Sequence, residues 1–333
     1  MYHSVIRRRI REQGLLHGIM LELTYACNLD CFFCYNDREA QGEPLNPEQY
    51  RQLFDDLAAM NVMFVTFTGG EPLLYPHFFE LGRAARERGF AIRIKTNGHA
   101  VRGATAQRLK EEINPLLVEM SLHGATSQTH DRQTRVAGSF NRLLRNIREM
   151  QDLGLRPGLV STPTAWNEQE LEAMYELARS IGVPLRFQGP VGPRDNGDQS
   201  PLEIQPSPAS WERLLELGER YRQAPHATAF GPPVEETGQE DKGETAWCGA
   251  GSEEILVDPF GNVFPCLHLR WSAGNLHDLG IREIWERSKA FPAARELSEE
   301  TAGQMREKKP RQLGAPLYCP GLALKGCGGC NSC

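Results

Sequence analysis

Residues 17–35, HGIMLELTYACNLDCFFCY, join a short apolar run at Ile19 to Leu23 to three cysteines, Cys27, Cys31 and Cys34. The run reads as a β-strand, so the thiols share the loop at its carboxyl end. Working outward, similar runs recur near Val62 to Thr68, Ala91 to Thr96, Leu116 to Leu122, Pro157 to Thr162 and Val183 to Gln188. Helical patterns with apolar residues three and four apart fill the gaps: Pro47 to Met60, Pro76 to Arg88, Thr105 to Glu112, Ser139 to Leu153 and Asn167 to Ile181. Asn46-Pro47 has the form of an N-cap followed by an N1 proline, and Gly89, Gly154 and Gly182 stand where a helix ends. Alternating strands and helices imply an α/β fold with a parallel sheet, either open or part of a barrel, binding ligands at the carboxyl ends of its strands.

The composition is that of a globular protein, with 40% hydrophobic and 24% charged residues, which excludes a mainly disordered or collagenous chain. Lys+Arg 37 against Asp+Glu 43 gives a net charge of −6 and no bulk drive toward nucleic acid or an anionic membrane. No stretch reaches the roughly 18 to 20 apolar residues of a membrane span, and MYHSVIRRRIREQG lacks the core of a signal peptide. A cytoplasmic protein is expected. The other six of the nine cysteines lie at 248, 266, 319, 327, 330 and 333. An odd count in two tight groups points to metal ligation or redox chemistry rather than a disulfide framework.

Three thiolates in the first group can hold three irons of a 4Fe-4S cluster, leaving the fourth iron open to an exogenous ligand. The spacing Cys-x3-Cys-x2-Cys resembles that of the radical S-adenosylmethionine enzymes, and the resemblance covers most of the chain. It implies that Cys27, Cys31 and Cys34 bind the cluster, that S-adenosylmethionine chelates the open iron, and that Phe33 packs near the adenine. Thr68-Gly69-Gly70-Glu71-Pro72 matches the family's motif for the methionine ammonium; glycines permit close approach, and a carboxylate can pair with an ammonium. Thr96-Asn97-Gly98 and Ser121-Leu122-His123-Gly124 resemble positions near the ligand and its ribose, although each also reads as a turn. Arg135 and Asn167 are further candidates, with a structural surface role as the alternative. His77, His123 and His268 have no partner at diagnostic spacing and read as structural or surface groups. The fold implied is a partial (β/α)6 barrel with a small cysteine-rich C-terminal iron-sulfur domain. The chemistry implied is cleavage of S-adenosylmethionine to a 5′-deoxyadenosyl radical that abstracts hydrogen from a substrate C–H bond.

The expected division is an N-terminal segment 1–16, a barrel with flanking helix 17–224, and an auxiliary domain 225–333. Gly189 to Pro208 reads as a linker or site-flanking loop, followed by a helix near Pro208 to Gln223. Within the last domain, Ile255 to Val257 and Asn262 to Phe264 read as a hairpin turning at Gly261. Cys248 and Cys266 resemble the opening of the family's SPASM extension, whereas Cys319, Cys327, Cys330 and Cys333 lack its initial Cys-x2-Cys pair. One or two auxiliary iron-sulfur clusters are expected on these six, with a structural zinc site at the last four as the competing reading. The resemblance is nearest to peptide-modifying and haem-pathway branches, so a peptide maturase leads and a tetrapyrrole enzyme follows. A remote third reading is a non-catalytic iron-sulfur or zinc protein. A reductant such as flavodoxin or ferredoxin is implied. Because about 16 residues precede the first strand, a separate leader-binding protein is a further expected partner, the alternative being a substrate bound without one.

Overall fold

The computed structural model describes residues 9–10, 13–222, 248–252, 254–307 and 319. Its sheet has nine strands in the order β6-β5-β4-β3-β2-β1-β7-β8-β9. β1 (Gly18–Glu22), β2 (Phe64–Thr68), β3 (Ala91–Thr96), β4 (Leu117–Ser121), β5 (Pro157–Ser161) and β6 (Leu185–Phe187) are all parallel. Each new strand joins on the same side as the last, which is barrel winding; a doubly wound sheet would reverse direction. β6 does not return to pair with β1, so the barrel is partial.

The helices cover the outer face. α1 (Pro47–Ala59) starts with a capping box in which Asn46 accepts from Gln49 N while the Gln49 side chain accepts from Asn46 N. It buries Leu53, Phe54 and Leu57, and Phe54 meets Phe67 of β2 edge to face. α2 (Phe78–Glu87), α5 (Ser139–Asp152) and α6 (Leu171–Ser180) bury their apolar stripes in the same core. The helix expected over 105–112 is instead α3 (Gly103–Arg108) running into a π turn, Leu109–Ile113, that ends on left-handed Asn114.

Three helices were not anticipated: Ser127–Thr134, Ile281–Arg287 and Ala290–Glu307. α4 (Ser127–Thr134) buries His130, Gln133 and Thr134, so its sequence SQTHDRQT carries no apolar periodicity to betray it. Its N-cap Thr126 accepts from Thr129 N.

β7 (Glu254–Val257) pairs in parallel with β1, and β8 (Asn262–Phe264) and β9 (Gly274–Asn275) follow antiparallel. The barrel sheet therefore continues into the C-terminal portion; the boundary expected at 224/225 lies outside the described residues. α7 (Pro208–Arg222), α8 (Ile281–Arg287) and α9 (Ala290–Glu307) complete the elements used below. Among the described residues, no helix is long and apolar enough to cross a membrane.

Candidate active site

The cavity opens at the carboxyl ends of the strands. Cys27, Cys31 and Cys34 line it together with Phe33, Gly69, Gly70, Asn97, Ser121 and His123. The cysteine loop is pinned by its own backbone: Asp30 N donates to Thr134 O and Phe32 N to Gln133 O, each at 3.1 Å. Arg194, from the segment after β6, adds a clamp by donating to Cys34 O at 2.7 Å and Phe32 O at 3.0 Å. Phe33 meets His123 edge to face with centroids 4.7 Å apart.

The two glycines let the chain approach itself. Gly70 N donates to Thr24 O at 2.7 Å and Glu71 N to Ala26 O at 2.9 Å. A Cβ on Gly70 would stand 2.4 Å from Ala26 O, and one on Gly69, whose φ is +125°, 2.4 Å from Thr24 O. The Gly-Gly pair is thus required by close packing on the segment that leads into Cys27, apart from any ligand.

Glu71 departs from the expected direct pairing with an ammonium, because its carboxylate is spent inside the fold. It accepts from Thr96 Oγ1 at 2.8 Å, Asn97 N at 2.8 Å and Leu73 N at 3.1 Å. Complete burial pushes it up to about 7, partly offset by those donors. It thereby holds Asn97, whose Nδ2 donates to Asn28 Oδ1 at 2.6 Å and approaches Cys27 Sγ at 3.7 Å.

Burial pushes the Cys31 thiol well up, and its neighbours Cys34 and Cys27 push it further; burial also raises Cys27. Three thiolates crowded into one cavity repel one another, and a cationic iron core is what would stabilise all three. Among the described residues, no three His, Cys, Asp or Glu side chains converge on a single ion. Three thiols on one loop that line a common cavity match the three-thiolate ligation of a 4Fe-4S cluster, so the residues present fit the iron-sulfur group.

Below this rim lies a charged layer. Glu22, fully buried on β1, accepts from Arg270 Nη1 at 3.0 Å and Nη2 at 3.1 Å, from Tyr35 Oη at 3.1 Å and from Tyr25 Oη at 3.2 Å. Arg270 Nη2 also pairs with Asp195 Oδ2 at 2.9 Å. Lys95 of β3 and Glu119 of β4 line the cavity, whereas Glu22, Asp195 and Arg270 stand behind its wall.

The remaining candidates fall elsewhere. Arg135 lies over the Phe32 ring at 4.8 Å and pairs with Asp30 at 3.4 Å. Asn167 is fully buried, donating to Thr162 O at 3.0 Å and His123 O at 3.3 Å. Neither lines the cavity. His123 and His268, expected to be structural or surface groups, do line it, whereas His77 is an exposed partner of Glu80.

Sequence reasoning passed over Glu22, Lys95, Glu119, Arg194 and Arg270. A signal existed for the strand residues. AIRIKT and LVEMS place polar groups at alternate positions, and GIMLE ends on its one charged residue, whereas parallel strands covered on both faces read as continuous apolar runs.

Cys248 and Cys266 pack around a small second core of Ala250, Leu269 and Ala294. Burial, with Cys248 beside it, pushes Cys266 up to about 11. Cys319 is half-buried, and Cys327, Cys330 and Cys333 lie outside the described residues.

Comparison with known proteins bears on this geometry. Residues 21–181 match the radical SAM superfamily model, and residues 248–312 match the SPASM model, an iron-sulfur cluster-binding domain. A mycofactocin maturase of Mycobacterium ulcerans is 32% identical over 301 residues, spanning 86% of this chain and 79% of the relative. An AdoMet-dependent heme synthase of Methanosarcina barkeri is 28% identical over 302 residues, spanning 84% of this chain and 85% of that one. In fold, SuiB of Streptococcus suis superposes with a TM-score of 0.67 at 15% identity, covering 89% of this chain and 72% of SuiB. The chain belongs to the radical S-adenosylmethionine superfamily, with a SPASM domain following the barrel, and is an enzyme that uses a 4Fe-4S cluster, S-adenosylmethionine and auxiliary iron-sulfur clusters.

Proposed function

We propose that the enzyme is a peptide maturase whose radical chemistry is launched at the cavity lined by Cys27, Cys31 and Cys34. The observation that carries this is the meeting of three cysteines, Gly69-Gly70, Asn97 and Ser121 in one cavity at the strand ends. Those thiolates would hold the cluster, which when bound and reduced would supply the one electron for cleavage of S-adenosylmethionine to methionine and the 5′-deoxyadenosyl radical that takes hydrogen from a substrate carbon. The protein's part is to hold, orient and exclude. Asn28 and Glu71 hold the Asn97 amide and backbone beside Cys27, Arg194 clamps the loop, and Phe33 against His123 gives the nucleoside an apolar wall. Leu267 and His268 of the C-terminal portion close the same cavity, which keeps water from a reactive radical. Cys248, Cys266, Cys319, Cys327, Cys330 and Cys333 are assigned to the auxiliary clusters.

Support for a peptide comes from the mycofactocin maturase and from the fold shared with SuiB, a structure of which is bound to a precursor peptide. The heme synthase relative favours a tetrapyrrole as the second reading. A low-potential protein such as flavodoxin or ferredoxin is the proposed electron donor, and a separate leader-binding protein the proposed carrier of the peptide.

Anaerobic reconstitution with iron and sulfide, followed by S-adenosylmethionine and dithionite, tests the reading through 5′-deoxyadenosine measured by mass spectrometry. The expected result is formation above a no-enzyme control, abolished by Cys31→Ala. Formation that survives Cys31→Ala overturns the cluster assignment. An optical shift on adding porphyrin, with no peptide product, moves the substrate to the tetrapyrrole class.

A further inference from the structure

The inner faces of β3, β4 and β6 bring unequal charges together beneath the cysteines. Lys95 and Glu119 are register partners on adjacent strands, and both line the cavity. The Glu119 side chain is 6% exposed, and its Oε2 accepts from Arg186 Nη2 at 2.8 Å. Lys95 Nζ stands 3.8 Å from Oε1, too far for a hydrogen bond, and Oε1 has no hydrogen-bond partner among the described residues. Arg93, two residues earlier on the same strand face, is a third cation, with its guanidinium 4.2 Å from the Phe64 ring centroid. Glu254, beyond β1, accepts from Thr66 Oγ1 at 3.4 Å. Burial alone would raise the Glu119 carboxyl, yet Lys95 and then Arg186 bring it below the usual range, so it is ionised.

Arg186 commits its Nη2 to Glu119 Oε2. Lys95 is left with three N–H donors, a side chain one-third exposed to the cavity, and no hydrogen bond among the described residues. A cation held in a partly desolvated pocket with its donors unspent is stabilised by an anionic ligand.

We propose that Lys95 is the substrate-recognition residue of this cavity, its ammonium taking a carboxylate of the substrate while Glu119 and Arg186 hold it in place. The inference rests on the reading of this cavity as the place where substrate meets the radical. Ion-pairing at Lys95 sets a carboxylate one strand layer below the rim and so selects which substrate carbon reaches the radical. A peptide's C-terminal or side-chain carboxylate and a tetrapyrrole propionate share this chemistry.

Native mass spectrometry of the anaerobically reconstituted holoenzyme separates these sources with two pairs of probes. One pair is a tripeptide pool lacking Asp and Glu, with a free C-terminal carboxylate or with the same terminus amidated. The other is coproporphyrin III or its tetramethyl ester. The acid of one pair should be retained about tenfold or more above its neutral partner, lose that preference in Lys95→Met, and regain most of it in Lys95→Arg. A Lys95-dependent preference for the acid peptides supports both the site and the peptide reading. The same dependence with coproporphyrin alone supports the site and overturns the peptide reading. Equal retention of acid and neutral partner, retention of neither acid, or a preference unchanged by Lys95→Met overturns the assignment of Lys95. So does loss of S-adenosylmethionine from Lys95→Met, which would make Lys95 a cofactor contact.

Discussion

On one side of the cavity the cysteine loop, Gly69-Gly70 and Asn97 are tied by backbone and amide hydrogen bonds, whereas on the other Glu22, Asp195 and Arg270 are joined as buried ions. The first side is made mostly of backbone groups: the turn after β1 meets the turns after β2 and β3 and the end of α4 through peptide and amide hydrogen bonds. The second spans 248 residues from Glu22 to Arg270 and fastens β1, the segment after β6 and the C-terminal portion at one point. A neutral backbone cradle tolerates the loss of one bond, because water can replace a donor. A buried ionic knot does not, because removing one partner strands charges in a medium that cannot solvate them.

The largest effect is therefore expected on the ionic side. Arg270→Met should lower the unfolding free energy by about 3–5 kcal/mol, with Arg270→Lys losing less because it keeps the charge without the fork. Denaturant titration of the metal-free protein measures this, and a loss near that of a surface substitution would show that water reaches Glu22.

The neutral side should break when it is charged. Burial holds His123 down to about 3 and His130 down to about 4, whereas the unfolded residues titrate near 6.5. As pH falls below 6.5 the unfolded state binds more protons, so stability should drop by about 1.4 kcal/mol per pH unit for each histidine. Glu71 acts with the opposite sign. Its carboxyl is raised to about 7, so its contribution is fully present below its ordinary 4.5 and lost as pH rises through 7. Thermal melts from pH 7 to 5 should accordingly show a shallower acid loss in the wild type than in Glu71→Gln; parallel curves would mean that Glu71 stays ionised throughout.

Gly70→Ala comes next. Its Cβ would overlap Ala26 O and force the strand end apart from the loop, at a cost of about 1–3 kcal/mol. Iron bound per chain after reconstitution should fall with it, and full iron content would mean that the loop can shift without losing its ligands. The smallest effect is expected at Arg179→Ala, whose ion pair with Glu176 is exposed on α6. A change within about 0.5 kcal/mol by the same titration would set the background for the rest.

The alternation of strands and helices, the placing of Cys27, Cys31 and Cys34 after β1, and the Gly-Gly step after β2 were all legible in the sequence, because each is written within a dozen residues. The reason for Gly69 and Gly70 was not, since only the fold shows that the backbone they approach is the chain's own. Nor was the inward turn of Glu71, which depends on Thr96 and Asn97 arriving from the next strand. α4 stayed hidden because its buried residues are polar and leave no apolar stripe.

The sequence by itself determined the order of the elements, the three-cysteine loop and the family chemistry, for local periodicity and motif spacing are properties of the chain alone. The tertiary structure decided which polar strand residues share the cavity and that β7 extends the barrel sheet. It also decided that Arg270, Asp195 and Glu22 meet. Those facts depend on register and on the direction of winding, which bring residues far apart in the chain into a common low-dielectric space where their charges must be paired.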